Sequence, residues 1–597
     1  MGVIAMYDFS GGMNLRGPST MLAENECVLM QNARPVLEGG YEKRRGSAVI
    51  NTGRLLDSYA AGTVTTINGS TTVTGTGTLW TGQVGAGDYF TLDDVTFYEV
   101  SSVPGNTTII TTTAIGSTTA LVAYKITRRV GGLHSAGKFS GGATAYRMWA
   151  AVGRKLWRMN GADDNTWTVA RTFSQTGSRT AEVFFSEIAG FLVFSNGVAS
   201  ETAGTYNLST GAVSVITEPS GFHPRMLVPH SERAFCIGDT GQPTTVRVSA
   251  PGDPSDYTTL PGTVTLTILL HRDLADPIIT GMSNGRLVVF PCLNSTWAIV
   301  GRSALSFSVE NIHPTIGCIA PKSIAVDSDG TFYWLSNRGV VRMRATGDLD
   351  IISGQIQPEI KYIVMDEETY GAADLSRACG MFDGRFYRLS VARRTAAGNP
   401  TTHRTWVYDT WSSRGGWMFD TMRGGPWAFR PSVAQDAVFQ EAEPVPHFGH
   451  RLYGWVVRAE NTNWQDEGSG YNMQVQSGFR DDGTPLQRKL VESIRVKAAT
   501  TTTVASLTCR ISDDGRDMES INEPTIALLN SGPVWQADET SFARSEVNLR
   551  KPVAYGSSRG VSNAQIDGTS FSVEMQNNDN LAVQVKGVEL DYKHKPD

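Results

Sequence analysis

Short runs of alternating apolar and polar residues, divided by glycine turns, recur along most of this chain. Tyr387, Leu389 and Val391 fall on one side of such a run, and Arg388 and Ser390 on the other, the period-two pattern of a strand with one buried face. Between about Tyr146 and Trp464 one unit repeats: an aromatic-rich strand, a Gly or Asp-Gly turn, a second strand and a loop. Tyr146-Arg-Met-Trp149, Lys155-Leu-Trp-Arg-Met159, Gly190-Phe-Leu-Val-Phe194, Arg233-Ala-Phe-Cys236, Gly285-Arg-Leu-Val-Val-Phe290, Gly330-Thr-Phe-Tyr-Trp334, Gly384-Arg-Phe-Tyr387 and His450-Arg-Leu-Tyr453 mark its copies. Starts spaced by about 45 to 65 residues suit four-stranded propeller blades with variable outer loops, about six to eight of them.

The pattern changes on either side of this region. Residues 1–55 read as an irregular arm that starts the propeller, with a short helix near Leu22 to Asn32 and a cationic run, Lys43-Arg-Arg45, expected on a solvated surface. Residues 56–127 turn to Thr, Ser, Gly and Val, with short strands at Val64–Ile67, Thr71–Thr74, Tyr89–Leu92, Thr96–Val100 and Thr108–Thr111, a small β domain inserted at the surface. The propeller then occupies residues 128–470, interrupted by one helix whose apolar stripe is Ile356, Ile360, Ile363 and Val364. Longer alternating runs at Leu490–Val496, Val504–Ile511, Phe571–Met575, Leu581–Val585 and Val588–Tyr592 predict a C-terminal β-sandwich over residues 471–597.

Composition agrees with an all-β chain: 40% hydrophobic, 18% charged and 62 glycines in 597 residues. A net charge of −6 argues against a protein whose main task is to grip a nucleic-acid backbone, since that energy comes from clustered Lys and Arg displacing counterions. DNA passage is not excluded. Neither the N-terminal residues nor the apolar run Val264–Leu270 has the form of a signal peptide or a membrane span, so synthesis and folding in a cytoplasm are expected. Cys27, Cys236, Cys292, Cys318, Cys379 and Cys509 contain no Cys-x-x-Cys pair and read as reduced, buried thiols.

The search for chemistry finds no enzyme. Asp327 with Asp329, Asp513 with Asp514, and Glu367 with Glu368 are the carboxylate pairs to test for glycoside hydrolysis, but each lies at a turn or on a charged stretch. The nine histidines are dispersed, and His447-Phe-Gly-His450 has no acidic neighbour to complete a metal site. No cofactor or metal is therefore expected. Trp80, Phe90, Phe97 and Tyr98 of the insert either form its core or stack on sugars at a host surface, with Trp80 and Tyr98 as the candidate glycan contacts. Trp157, Trp297, Trp334, Trp406 and Trp455 read as packed blade residues.

Asp8-Phe-Ser-Gly-Gly-Met-Asn-Leu15, Leu22-Ala-Glu-Asn-Glu26, Gln31-Asn32 and Arg44-Arg-Gly46 lead into Gly285–Phe290, Ser295-Thr-Trp297 and Ile316-Gly-Cys-Ile-Ala-Pro-Lys-Ser323. Together with the helix before Phe382-Asp-Gly-Arg-Phe-Tyr387 and Val407-Tyr-Asp409, this order resembles the tail-nozzle or tail-hub proteins of short-tailed bacteriophages, also called tail tubular protein B or packaged DNA stabilisation proteins. The likeness runs nearly the length of the chain. It implies a non-enzymatic virion protein, assembled in the host cytoplasm as a hexamer, that joins the adaptor ring below the portal, contacts tail fibres or spikes and the host outer surface, and lets double-stranded DNA through. A tail receptor-binding protein for host glycan is the alternative, and a propeller glycosidase a further one.

Overall fold

The computed structural model describes residues 2–36, 39–51, 59–93, 96–140, 143–160, 166–174, 182–198, 201–216, 222–257, 266–365, 375, 378–393, 402–412, 415–422, 426–433, 444–450, 453–460, 463–500, 504–513, 525–529, 547–552, 567–578, 580 and 582–594. Strands dominate, and the one α-helix among these residues is Gln357–Met365.

Among the described residues seven antiparallel four-strand units follow one another as blades, the sixth as part of a larger sheet, each named here by its first strand. Those strands are Val130–Ser140, Phe184–Ile188, Met226–His230, Met282–Ser283, Ala325–Val326, Cys379–Phe382 and Pro426–Val433. Each touches the next in turn, and the seventh touches the first, so the sheets close into a propeller. Most of the aromatic units seen in the sequence fall on or beside second strands, while Lys155–Met159 is the third strand of the first blade. Phe332–Ser336 and Leu287–Pro291, for instance, are buried at every position because another blade covers each face. The seventh blade takes its outer strand from far upstream, Ala48–Val49 pairing with Val456–Arg458.

The arm is woven into the body and is not helical where a helix was expected: Glu26–Gln31 is a strand. A bulge between Cys27 and Leu29 breaks its alternation, placing buried Cys27 and Met30 three residues apart, a spacing that imitates a helical turn. Gly12–Met13 and Glu26–Gln31 lie parallel to the outer strand of the sixth blade, Gly416–Asp420. Gly12 has φ +62°, and a Cβ there would stand 2.6 Å from the Trp417 backbone, so only glycine lets the arm approach this closely.

Beyond the arm the same sheet continues through Met473–Ser477, Phe571–Asn577, Val504–Asp513 and Thr525–Leu529 to ten strands. A second sheet joins Gly2–Met6, Ala33–Pro35, Tyr41–Lys43, Lys489–Thr500, Val547–Pro552, Asp567–Gly568 and Val583–His594. The two form a sandwich around one core, with Val496, Val585 and Leu590 from one sheet and Cys509, Val573 and Met575 from the other. The runs at 581–585 and 588–592, expected as two strands, belong to the single strand Val583–His594, which a bulge near Gly587 interrupts. Leu581 lies outside the described residues.

The helix Gln357–Met365 buries Ile360 and Ile363 in this core, and Ile356 packs there from the turn before it. Residues 59–127 make a separate seven-stranded sheet around Val64, Val73, Trp80, Phe90, Val100 and Ile109.

Candidate functional site

Segments at the first strands of the first six blades line a cavity of about 370 Å³. Its walls combine Leu133, Phe184, Met226 and Ile324 with the ionisable groups His134, Glu187 and Lys322. His134 Nε2 lies 3.1 Å from Glu187 Oε1, and its ring stacks on Phe185 at 5.8 Å. At one rim the Lys322 ammonium bonds Glu182 and the Gly131 carbonyl, and Arg129 stands 3.4 Å from the same carboxylate. Glu187 thus faces an imidazole and Glu182 two cations. Retaining or inverting hydrolysis needs instead an acid and a carboxylate facing each other across open space.

The sequence candidates lie elsewhere. Asp327 Oδ1 accepts the Asp329 and Thr331 amides at 2.9 Å, and Oδ2 accepts the Tyr333 hydroxyl at 3.1 Å, so this carboxylate holds a turn. Glu367, Glu368 and Asp514 are outside the described residues. His447 and His450 are buried, and His450 stacks on Tyr453 at 4.4 Å.

Trp80 is fully buried, its indole N–H donating to Tyr124 Oη at 2.8 Å, which leaves no face for a sugar and removes it as a glycan contact. Tyr98 is half-buried against Phe90, and its hydroxyl accepts the Gly116 amide at 3.0 Å, so its polar end is engaged within the module. Phe97 packs inward on the propeller, stacking on Tyr453 at 3.6 Å and meeting Trp455 edge-on at 5.8 Å. Tyr89 adds an edge contact to Tyr453 at 5.6 Å. Entry and exit of the module meet at one residue, Gly454, which Asn51 and Thr127 both hydrogen-bond.

The densest electrostatics were not legible in the sequence. Lys43 and Arg44, expected in solvent, are buried where the arm meets the sixth blade and the sandwich. Arg34 forks onto Asp420 at 2.9 and 2.6 Å and reaches Glu460 at 3.3 Å. Arg388 bridges Asp383 at 2.6 Å and Glu460 at 2.9 Å, and stands 3.5 Å from Asp420. Arg44 grips Asp466 with both terminal nitrogens and lies over the Tyr471 ring at 4.0 Å.

Burial alone would raise the Asp420 carboxyl, but the Arg34 guanidinium, with Arg44 and Arg388 behind it, holds it below the usual range. Burial would raise Glu460 too, and Arg388 and Arg34 hold it down. The chemistry here is that of a clasp, with ion pairs held in forked geometry. Strand alternation predicted Arg388 and Ser390 on a solvent face, yet both are buried, Arg388 among Asp383, Asp420 and Glu460.

All six cysteines are free and buried, and burial pushes the Cys27 thiol up to about 12. The scattered His and Cys residues gave no metal pattern, but among the described residues His271, Asp276 and Cys292 come together.

No protein-family model matches this sequence, and no curated protein matches it. Among solved structures, the extracellular domain of a putative one-component system from B. thetaiotaomicron is 8% identical with a TM-score of 0.26, over 71% of this chain and 40% of that one. The chain thus spans less than half the length of that protein. The AfRom2 CNH domain is 9% identical with a TM-score of 0.31, over 56% of this chain and 94% of that one. An exo-β-1,3-galactanase from Phanerochaete chrysosporium is 8% identical with a TM-score of 0.23, over 68% of this chain and 95% of that one. No helix of the described residues is long and apolar enough to cross a membrane.

Proposed function

We propose that this chain is a non-enzymatic subunit of the tail conduit of a short-tailed bacteriophage. In this reading copies assemble as a ring, a hexamer, below the adaptor of the portal. The ring retains the packaged genome, lets double-stranded DNA pass on ejection, and meets tail fibres or spikes and the host surface on its outside.

The observation that carries the reading is the outer rim of three consecutive blades. Their edge strands Trp167–Thr172, Val213–Val215 and Leu266–Leu269 close their sheets, and Val169, Val213, Val215 and Leu269 on them are exposed. Sheet edges that carry exposed apolar side chains are a liability in a lone chain and a seam in an assembly. The net charge of −6 supports the same reading, because an acidic wall lets phosphates slide where clustered cations would hold them.

The glycan-binding alternative rested on Trp80 and Tyr98, and burial of Trp80 removes half of it. Electron microscopy of the purified chain, alone and mixed with adaptor rings, tests the conduit. Rings with an open lumen are expected, and Val213→Lys with Val215→Lys should weaken their assembly without unfolding the chain. A monodisperse monomer that never joins a ring would overturn the proposal.

A further inference from the structure

His271, Asp276 and Cys292 meet at the join between the third and fourth blades. His271 lies just past the last strand of the third blade, Leu266–Leu269, and Asp276 sits in the link to the fourth. Cys292 follows the strand Leu287–Pro291 and bridges back to Ile278 of that link. One nitrogen, one carboxylate oxygen and the sulfur lie within 4.8 Å of one another, with Asp276 and Cys292 buried and His271 half-buried. His271 Nε2 is 3.4 Å from Cys292 Sγ.

We propose that these three side chains bind a divalent transition-metal ion of the zinc type, with a water in the fourth position on the half-exposed side. A tetrahedral ion with metal–sulfur and metal–nitrogen bonds of about 2.3 and 2.1 Å sets its sulfur and nitrogen ligands roughly 3.6 Å apart. The observed 3.4 Å needs only a small outward shift. Imidazole and thiolate select such an ion over magnesium or calcium, which prefer all-oxygen shells.

The surroundings orient the ligands as outer partners do in metal sites. The His271 ring stacks on Trp297 at 5.3 Å and 24°. Trp297 Nε1 donates to Ser295 Oγ at 2.8 Å, and Ser295 Oγ donates in turn to Asp276 Oδ2 at 2.5 Å. The Asn294 amide donates to Asp276 Oδ1 at 2.6 Å. Each carboxylate oxygen keeps a second lone pair for the ion. On binding, the Cys292 S–H bond breaks, the sulfur keeps the electron pair for the metal, and the proton leaves to solvent, with no change of oxidation state.

The ion would pin the link between two blades to the hairpin of the second, fixing one seam of the propeller. This inference is independent of the conduit reading. Without the metal, the same atoms make a thiol–imidazole hydrogen bond and a carboxylate-capped turn.

The test uses the full chain without an affinity tag, stripped by a chelator and titrated with Co²⁺ as the spectroscopic probe. A thiolate-to-metal charge-transfer band that saturates at equal amounts of ion and chain, and is displaced by Zn²⁺, is expected. Cys292→Ser should abolish the band. His271→Ala, at the half-exposed position where the fold is least at risk, should weaken binding by about tenfold or more with the far-ultraviolet spectrum unchanged. Absence of the band in the natural chain, or undiminished binding by His271→Ala, would overturn the site.

Discussion

The module between Tyr59 and Thr127 closes its core with its own residues. Val64, Trp80, Phe90 and Ile109 pack together, and its seven strands form one sheet of their own. The sandwich beside the sixth blade does the reverse. Its core draws Ile4, Met30, Tyr41, Val475, Val573 and Leu590 from both extremes of the chain, and buried Arg34 and Arg44 clasp acids of the propeller and the segment after it. Locality separates the two. A module built from near neighbours in sequence is autonomous, whereas a junction built from distant segments exists only when all of them are present.

Deletion should separate them most strongly. Both ends of the module meet at Gly454, so replacing residues 59–127 by a short linker should leave a propeller with a cooperative unfolding transition. Removing residues 1–50 takes away the outer strand of the seventh blade, two strands of the ten-stranded sheet and two arginines of the clasp. That chain should show no cooperative transition by near-ultraviolet circular dichroism. An arm-less chain as stable as the whole would erase the contrast.

Within the clasp, Asp420→Asn is the most damaging single change. It leaves the buried Arg34 without its forked partner and strips Arg44 and Arg388 of a nearby charge. Breaking a buried pair from one side costs about 3–5 kcal/mol. Denaturant unfolding of the main transition should register that loss, with the module's own transition unmoved.

The clasp also gives the junction an acid limit. Asp420 and Glu460 titrate lower in the folded chain than in the unfolded one. Their stabilisation is therefore complete above the unfolded carboxylate values of about 4, and is lost as pH falls through the depressed folded values. Denaturation midpoints taken between about pH 7 and pH 3 should fall toward the acid end, and less steeply in Asp420→Asn. Equal slopes would mean that other carboxylates set the limit.

The same locality governed what could be read from the chain. Second strands of blades were legible because both faces are buried and a glycine turn stands beside them, as at Gly285 before Leu287–Pro291. First strands such as Met282–Ser283 and Ala325–Val326 are two residues long and carry no pattern of their own. The buried side of Arg388, the bulged strand at Cys27 and the meeting of His271 with Cys292 depend on partners from elsewhere in the chain, which periodicity does not encode.

Inside the module the effects shrink. Trp80→Phe keeps most of the apolar volume but loses the indole N–H bond to Tyr124, whose hydroxyl still donates to the Ala61 carbonyl at 2.7 Å. A loss of about 1–2 kcal/mol is expected in the module's transition alone. A matching loss in the propeller would show the two to be one cooperative unit.

Tyr453→Ala is the mildest test and the one aimed at the seam itself. Tyr453 receives Phe97 and Tyr89 from the module and stacks on His450 of the seventh blade, so its ring is the common surface of the two bodies. Aromatic pairs contribute about 0.5–1.5 kcal/mol each beyond the area they bury. Truncation removes that coupling and leaves each core intact, because Phe90 and Trp80 on one side and Phe448 on the other pack in clusters that do not include Tyr453. Hydrogen exchange should then quicken in the segment around Phe97 and change little in the strands at Val64 and Val73. If the inner strands of the module loosen as well, its stability is borrowed from the propeller, and the distinction between a self-contained module and a woven junction fails at that seam.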